Sequence, residues 1–172
     1  MSRYDNIIPG DIMANKFDYH DASIELECDG TYYAAYPTWC FFNQNQFSAT
    51  VNTYPPHFVG IKSSSPLVVD RFDFTAGWDL VYMTCKDYKI EASMDGESWN
   101  TVYSGTVPST SRYDKQCEFE PIICTQIRLT VLSTYDQRGY KWFQGGHIKI
   151  YGALAGNKLY TNQHAYAIPK KV

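Results

Sequence analysis

Apolar and polar residues alternate along short stretches of the chain, and this pattern predicts β-strands. In residues 88–94 one strand face would carry the residues that a core prefers: Tyr88, Ile90, Ala92 and Met94. Asp95-Gly96 follows, a pair that favours a tight hairpin turn. Alternation then resumes through residues 99–104, so this segment is predicted to be a β-hairpin with Trp99 packed in the core.

The same alternation recurs along the chain between clusters of turn-forming residues. The segments are 22–28, 57–62, 67–74, 81–85, 117–123, 126–133 and 145–152, whereas 31–56 suits long loops with short extended pieces. Many short strands and no amphipathic helix predict an all-β fold, an antiparallel β-sandwich or jelly roll. The predicted core includes Ile90, Ala92, Trp99, Ile127, Leu129, Val131, Ile148 and Ile150.

The length of 172 residues suits one domain with a sizeable core. We expect this β-sandwich domain over residues 21–152, with an N-terminal extension over 1–20 and a C-terminal extension over 153–172. The last segment loses the alternation and is predicted to be an appendage of the domain.

Composition narrows the range of partners. The chain has a formal net charge of −3 and 19% charged residues, which gives no electrostatic reason to expect nucleic acid as a partner. No apolar run approaches the length of a membrane span. The 15 Tyr, 9 Phe and 4 Trp fit an all-β protein and also suit a surface that binds through aromatic rings.

Cysteine usage bears on the compartment in which the chain folds. Five cysteines lack metal-ligand spacing, and the first residues lack the pattern of a secretory signal: Cys28, Cys40, Cys85, Cys117 and Cys124. We therefore expect reduced, mostly buried thiols and folding in a reducing cytosol. A virion component that folds in its host's cytosol fits the same description.

The sequence contains no recognisable catalytic motif. A G-x-S-x-G, an H-E-x-x-H and a Gly-rich phosphate loop are all missing. The carboxylates at 70, 73, 91, 95 and 97 alternate on strands or sit in the turn, as solvated side chains do. We therefore expect a protein that is not an enzyme and that needs no cofactor.

The order of the strand motifs resembles the discoidin-like, or coagulation factor C-type, domain of the galactose-binding-like jelly-roll superfamily, which includes carbohydrate-binding modules. The matching stretches are "PPHFVGIKSSSPLVVDRFDF", "YKIEASMDGESWNTVYSG", "IRLTVLST" and "IKIYG". The resemblance covers residues 55–152, with a weaker match over 31–52, and Ser93 to Trp99 is its most specific part. It implies a binding module, since this fold rarely carries chemistry of its own.

In that family, ligands sit on loops at one end of the sandwich. Here residues 134–144 are unusually aromatic, and aromatic rings stack on sugar rings while polar groups bind the hydroxyls. Candidate ligand-binding residues are Tyr135, Asp136, Arg138, Tyr140 and Trp142, with Gln144 as a further polar group. The alternative is that Trp142 and Phe143 only cap the core.

A second candidate surface is residues 31–39. Tyr32, Tyr33 and Tyr36 are plausible contacts there, while Trp39 is expected in the core. Trp78 is a weaker candidate for contact with a ligand or with a neighbouring subunit. Relatives often hold calcium in an acidic loop, but the corresponding residues 40–51 contain no carboxylate, so no metal site is expected.

Two functions remain open from the sequence. The first is a non-catalytic module that recognises a glycan or other surface ligand, also compatible with an adhesin displayed on a bacteriophage virion. The second is a structural virion component, a capsid-decorating or tail-associated protein, that uses the jelly roll to dock on other virion proteins or on copies of itself.

Overall fold

A computed structural model describes residues 24–31, 36–43, 47–51, 55–136, 139 and 142–154. Within these ranges the chain forms seven strands: β1 (Ile24–Cys28), β2 (Phe47–Val51), β3 (His57–Ala76), β4 (Asp87–Ser93), β5 (Asn100–Thr106), β6 (Tyr113–Val131) and β7 (Trp142–Leu154). Two short 3₁₀ turns, Thr38–Phe41 and Val81–Met83, lie between strands. The predicted N-terminal extension and most of the C-terminal one fall outside the described residues.

The strands form one antiparallel network that bends into two layers. Its order is β2-β7-β3-β6-β4-β5, with β1 paired to β3. The first part of β3 pairs with β1 and with the end of β6, whereas the second part pairs with β7 and with the start of β6. The register shifts between Lys62 and Leu67, where the network passes from one layer to the other. The layers are therefore β1-β3-β6-β4-β5 and β2-β7-β3-β6.

The predicted all-β jelly roll is confirmed, but two strand boundaries and one element differ from the prediction. Two pairs of predicted strands are each one continuous strand in the structure: 57–62 with 67–74 in β3, and 117–123 with most of 126–133 in β6. Pairing continues across β-bulges at the positions where the alternation of the sequence is interrupted. The predicted strand at 81–85 is wrong, since Val81–Met83 forms a 3₁₀ turn.

The core lies between the two layers. The rings of Phe74 on β3 and Tyr88 on β4 meet edge to face at 5.0 Å between centroids. Seven of the eight predicted core residues are buried: Ile90, Ala92, Ile127, Leu129, Val131, Ile148 and Ile150. Trp99 is the exception, because it follows the turn before β5 begins and its ring lies over Arg128 on the outer surface. Met94 is also on the surface, 52% exposed, because β4 ends at Ser93.

Three carboxylates that were expected in solvent are buried: Asp70, Asp73 and Glu91. Asp73 accepts two hydrogen bonds from the guanidinium of Arg71, from Nε at 2.8 Å and from Nη2 at 2.5 Å. Hydrogen bonds to an oppositely charged group offset the free energy that is lost when a carboxylate is removed from water, and an unpaired carboxylate lacks this compensation. The prediction of solvated carboxylates is therefore wrong at these positions.

All five cysteines carry free thiols, and four of them are buried, with Cys28 half-buried. Burial raises the pKa of Cys40 and of Cys117 to about 11 and that of Cys124 to about 12. The predicted burial of most thiols is confirmed. Within the described residues, no helix is long and apolar enough to cross a membrane.

Candidate functional site

Three connections between strands come together at one end of the sandwich, which we call the loop end; the residues that the structure places there are 77–86, 107–112 and 132–136. The backbone N–H of Lys86 donates to the carbonyl of Ser133 at 2.8 Å. The hydroxyl of Thr84 donates to the carbonyl of Thr110 at 2.8 Å. These hydrogen bonds tie the 77–86 connection to both of its neighbours, so the loop end is a connected surface.

Trp78 is the most prominent aromatic side chain of this surface. It lies directly after the turn at Gly77, whose φ of 74° favours glycine, and it is 43% exposed. Its ring meets that of Phe47, which is buried at the start of β2, at 3.8 Å between centroids. The guanidinium of Arg112 lies over both rings, 5.6 Å from the Trp78 centroid and 5.3 Å from that of Phe47.

Polar groups border this aromatic pair on the outer face of β3, β6 and β7. His147 packs against Phe47 at 4.6 Å between ring centroids. Burial and the nearby Arg112 charge lower the pKa of His147, outweighing the opposite effect of Asp114. Asp114 accepts a hydrogen bond from the Thr75 hydroxyl at 2.5 Å, and these groups line a cavity of about 220 Å³.

The match to a family model identifies the fold. The model of the F5/8 type C domain matches residues 29–144, about two thirds of the chain. The chain belongs to this family. The resemblance to discoidin-like domains is thereby confirmed, whereas no curated protein sequence matches the chain.

Several solved structures that are similar to this F5/8 type C domain are carbohydrate-binding modules. CpGH89CBM32-5 from Clostridium perfringens, in complex with GalNAc-β-1,3-galactose, has a TM-score of 0.64 and 10% identity over 75% of this chain and 95% of that one. The family 32 module of C. perfringens NanJ, in complex with galactose, has a TM-score of 0.61 and 14% identity over 74% and 93%. A chitosan-binding module from Paenibacillus sp. IK-5 has a TM-score of 0.58 and 17% identity over 76% and 96%. At these identities the likeness establishes the shared fold.

Three of the predicted ligand-binding residues, Tyr135, Asp136 and Trp142, lie in or directly after the third connection of the loop end. Tyr135 is half-buried, and its hydroxyl donates to the carbonyl of Val107 at 2.5 Å, so this hydroxyl ties two connections together. Asp136 and Trp142 are half-buried, with Trp142 opposite Val51 at the start of β7. Tyr36 is 47% exposed. Four further predicted contacts lie outside the described residues: Tyr32, Tyr33, Arg138 and Tyr140.

Sequence reasoning ranked Trp78 below the 134–144 loop and missed its neighbours. Phe47, Arg112 and His147 come from three separate elements, and no local pattern connects them with Trp78. The predicted lack of a metal site stays a prediction. Within the described ranges, no group of three or more His, Cys, Asp or Glu could hold a metal ion.

The Trp78–Arg112 pair is suited to holding a ring-shaped polar ligand. A fixed aromatic ring offers an apolar face, and a guanidinium offers several hydrogen-bond donors in a fixed plane. The packing of Trp78 on Phe47 restrains its ring before any ligand arrives, which lowers the entropic cost of binding.

Proposed function

We propose that this F5/8 type C domain binds a glycan at the loop end, without catalysing a reaction on it. The observation that supports this most directly is Trp78, a 43% exposed aromatic side chain that is held in place by Phe47 and flanked by Arg112. Membership of the family supports the same proposal, as do the ligands bound in similar modules, galactose and GalNAc-β-1,3-galactose.

Trp78 would supply the apolar contact. The C–H groups on one face of a sugar ring pack against an indole ring, which removes both from water. Removal of an exposed indole ring from water on binding is favourable. A ring that is already restrained loses little rotamer entropy when the ligand binds. Trp78 meets both conditions.

Arg112 would supply the polar contact. It is exposed and makes no ion pair within the described part of the chain, so its N–H donors are available to sugar hydroxyls. The ring of Trp78 restrains one face of the guanidinium. Tyr36 and the 134–144 loop, including Tyr135, Asp136, Arg138, Tyr140 and Trp142, remain proposed contributors around this pair.

A glycan panel and matched variants test the proposal. The purified chain is screened against neutral and acidic saccharides, and the affinity of the best ligand is measured for wild type, Trp78→Ala and Arg112→Gln. A central stacked aromatic commonly contributes about 2 kcal/mol, so Trp78→Ala should weaken binding about 30-fold. Ile123→Ala, which shortens a 50% exposed side chain on β6, is the control and should bind as wild type. Unchanged affinity in Trp78→Ala would contradict the proposed site.

Display on a virion and docking onto other virion proteins rest on the sequence alone and stay predictions. Measurement of the mass of the purified chain in solution by light scattering tests whether it associates with itself.

A further inference from the structure

A second concave surface lies away from the loop-end aromatic pair, on the outer face of the β1-β3-β6-β4-β5 layer. This groove runs beside β1 and encloses about 880 Å³. It shares no lining residue with Trp78 and its neighbours. The side chains that matter here are Glu25, Glu27, Trp39, Phe58, Trp99 and Arg128.

The strand register explains why a groove forms at this place. One row across the layer reads Glu27, Gly60, Arg128 and Glu91. Gly60 has no side chain, and a Cβ there would lie 2.3 Å from the carbonyl oxygen of Ile127. Because neighbouring strands are about 4.8 Å apart, the backbones of Glu27 and Arg128 lie about 10 Å apart, with no side chain between them in this row.

Arg128 is held rigidly on one side of this floor. Its Nε donates to Oε2 of Glu91 at 3.2 Å, and Nη2 lies 3.2 Å from the same oxygen. The guanidinium carbon lies 3.6 Å from the centre of the Trp99 ring and 5.1 Å from that of Phe58. Nη1 makes no hydrogen bond or ion pair in the described part of the chain, so its two N–H groups remain for a ligand.

The opposite side of the groove carries acceptors. Glu25 is exposed and Glu27 half-buried, and neither makes an ion pair within the described residues. Ionised carboxylates accept hydrogen bonds at both oxygens, which suits hydroxyl donors. At the Cys28 end of β1 the groove is bounded by the 3₁₀ turn that carries Trp39, where Cys28 Sγ lies 3.0 Å from the hydroxyl of Thr38.

We propose that this groove is a second saccharide site, which takes a neutral, linear oligosaccharide lying along β1. The lining combines aromatic rings with hydrogen-bond donors and acceptors, as the apolar faces and the hydroxyl rim of a sugar chain require. Two carboxylates and one guanidinium give the named lining a net charge of −1, which disfavours an acidic polymer. The five residues of β1 extend about 17 Å, longer than a single sugar ring, so the groove suits a chain.

The test is a length series of neutral linear saccharides, from monosaccharides to hexasaccharides of galactose, glucose, N-acetylglucosamine or N-acetylgalactosamine. Affinities are measured for wild type, for the double variant Glu25→Ala/Glu27→Ala, for Trp78→Ala and for the control Glu120→Ala, an exposed β6 carboxylate outside the groove. We expect affinity to rise with chain length, and the double variant to lose about tenfold for the longest chains while monosaccharide binding is unchanged. Equal thermal midpoints establish that each variant is folded.

The outcomes separate the two sites. If affinity does not depend on chain length and the double variant binds as wild type, the groove proposal is overturned and the loop-end site stands. If the double variant loses binding while Trp78→Ala does not, the groove is supported and the loop-end site is overturned. If no saccharide of the series binds at all, both proposals fall.

Discussion

The guanidinium of Arg128 lies over Trp99, with its central carbon 3.6 Å from the centre of the indole ring. The indole N–H of Trp99 donates to the carbonyl of Gly96 at 3.1 Å. Trp99 therefore joins the turn before β5 to the end of β6, and it does so from the outer surface. Glu91 on β4 and Phe58 on β3 also contact Arg128. The guanidinium is therefore held by β3, by β4 and by the turn that carries Trp99.

Trp99→Ala should lower the free energy of unfolding by about 1–2 kcal/mol, the value of a partly desolvated cation–π contact and less than a core truncation costs. Urea unfolding measures this loss. Trp99→Phe, which keeps a ring but loses the N–H, should cost less. Truncation of a fully buried tryptophan costs about 3–5 kcal/mol. A loss of about 4 kcal/mol or more in Trp99→Ala would therefore contradict its position on the surface.

Glu91→Gln should destabilise the fold by about 2 kcal/mol at neutral pH, because hydrogen bonds to a charged group are lost. Thr130 donates to Oε2 of Glu91 at 2.6 Å, and Lys89 Nζ lies 2.7 Å from Oε1. Burial raises the pKa of the Glu91 carboxyl, but the bonds from Lys89 and Thr130 and the Arg128 charge outweigh it, so the pKa lies below its ordinary value of 4.5.

The sign of this shift gives the pH dependence. Because the pKa of Glu91 is lower in the folded state, the ionised carboxylate stabilises the fold at pH values above 4.5. This stabilisation is lost as the pH falls from 4.5 through the lower pKa of the folded state. Unfolding experiments at several pH values should therefore show the difference between wild type and Glu91→Gln shrinking in acid, with Glu120→Gln as the control. A difference that is constant with pH would contradict the charged network.

Asp95 should titrate with a pKa of about 2. The backbone N–H groups of Ser98 and Glu97 donate to its Oδ1 at 2.7 and 2.8 Å, and the Ser93 hydroxyl donates at 3.0 Å. All three favour the ionised form. Carboxyl NMR resonances followed against pH measure the midpoint, and Ser93→Ala should raise it. A midpoint at the ordinary value of 3.8 would mean that the turn is not formed in this way.

The thiols should differ in their reactivity. Only Cys28 is half-buried, whereas burial raises the pKa of Cys40, Cys117 and Cys124, so little thiolate forms there. Alkylation of the folded chain, followed by intact mass, should label Cys28 first. After unfolding without reductant all five should react, and protection of two or four would reveal disulfides.

Local pattern was sufficient for the β4–β5 hairpin. The alternation of Tyr88, Ile90 and Ala92 predicts it, and these side chains are buried as expected. The predicted tight turn at Asp95-Gly96 is wrong, because residues 94–99 join the strands and Ala92 lies opposite Asn100, with a register shift between Ile90 and Glu91. Pattern failed at Glu91, since a carboxylate on a strand looks solvated until its partners are known. Those partners, Arg128 and Thr130, come from a strand more than thirty residues later.

The candidate site was harder to predict for the same reason. The 134–144 loop is visible in the sequence because its aromatic residues are close together in the chain. Trp78 gains its support from Phe47 and Arg112, whose proximity depends on strand pairing and on where each loop ends. Composition can suggest that a protein binds through aromatic rings. Only the folded structure shows which rings are exposed and packed against neighbours that fix their orientation.

Glycan binding at Trp78 is tested most directly by the indole N–H signals of the four tryptophans in a ¹⁵N NMR spectrum, assigned with single Trp→Phe variants. The best-binding monosaccharide or disaccharide of the panel is added until the protein is saturated. We expect the Trp78 signal to shift and the signals of Trp39 and Trp99 to stay in place. Binding that leaves the Trp78 signal unmoved would contradict glycan binding at Trp78.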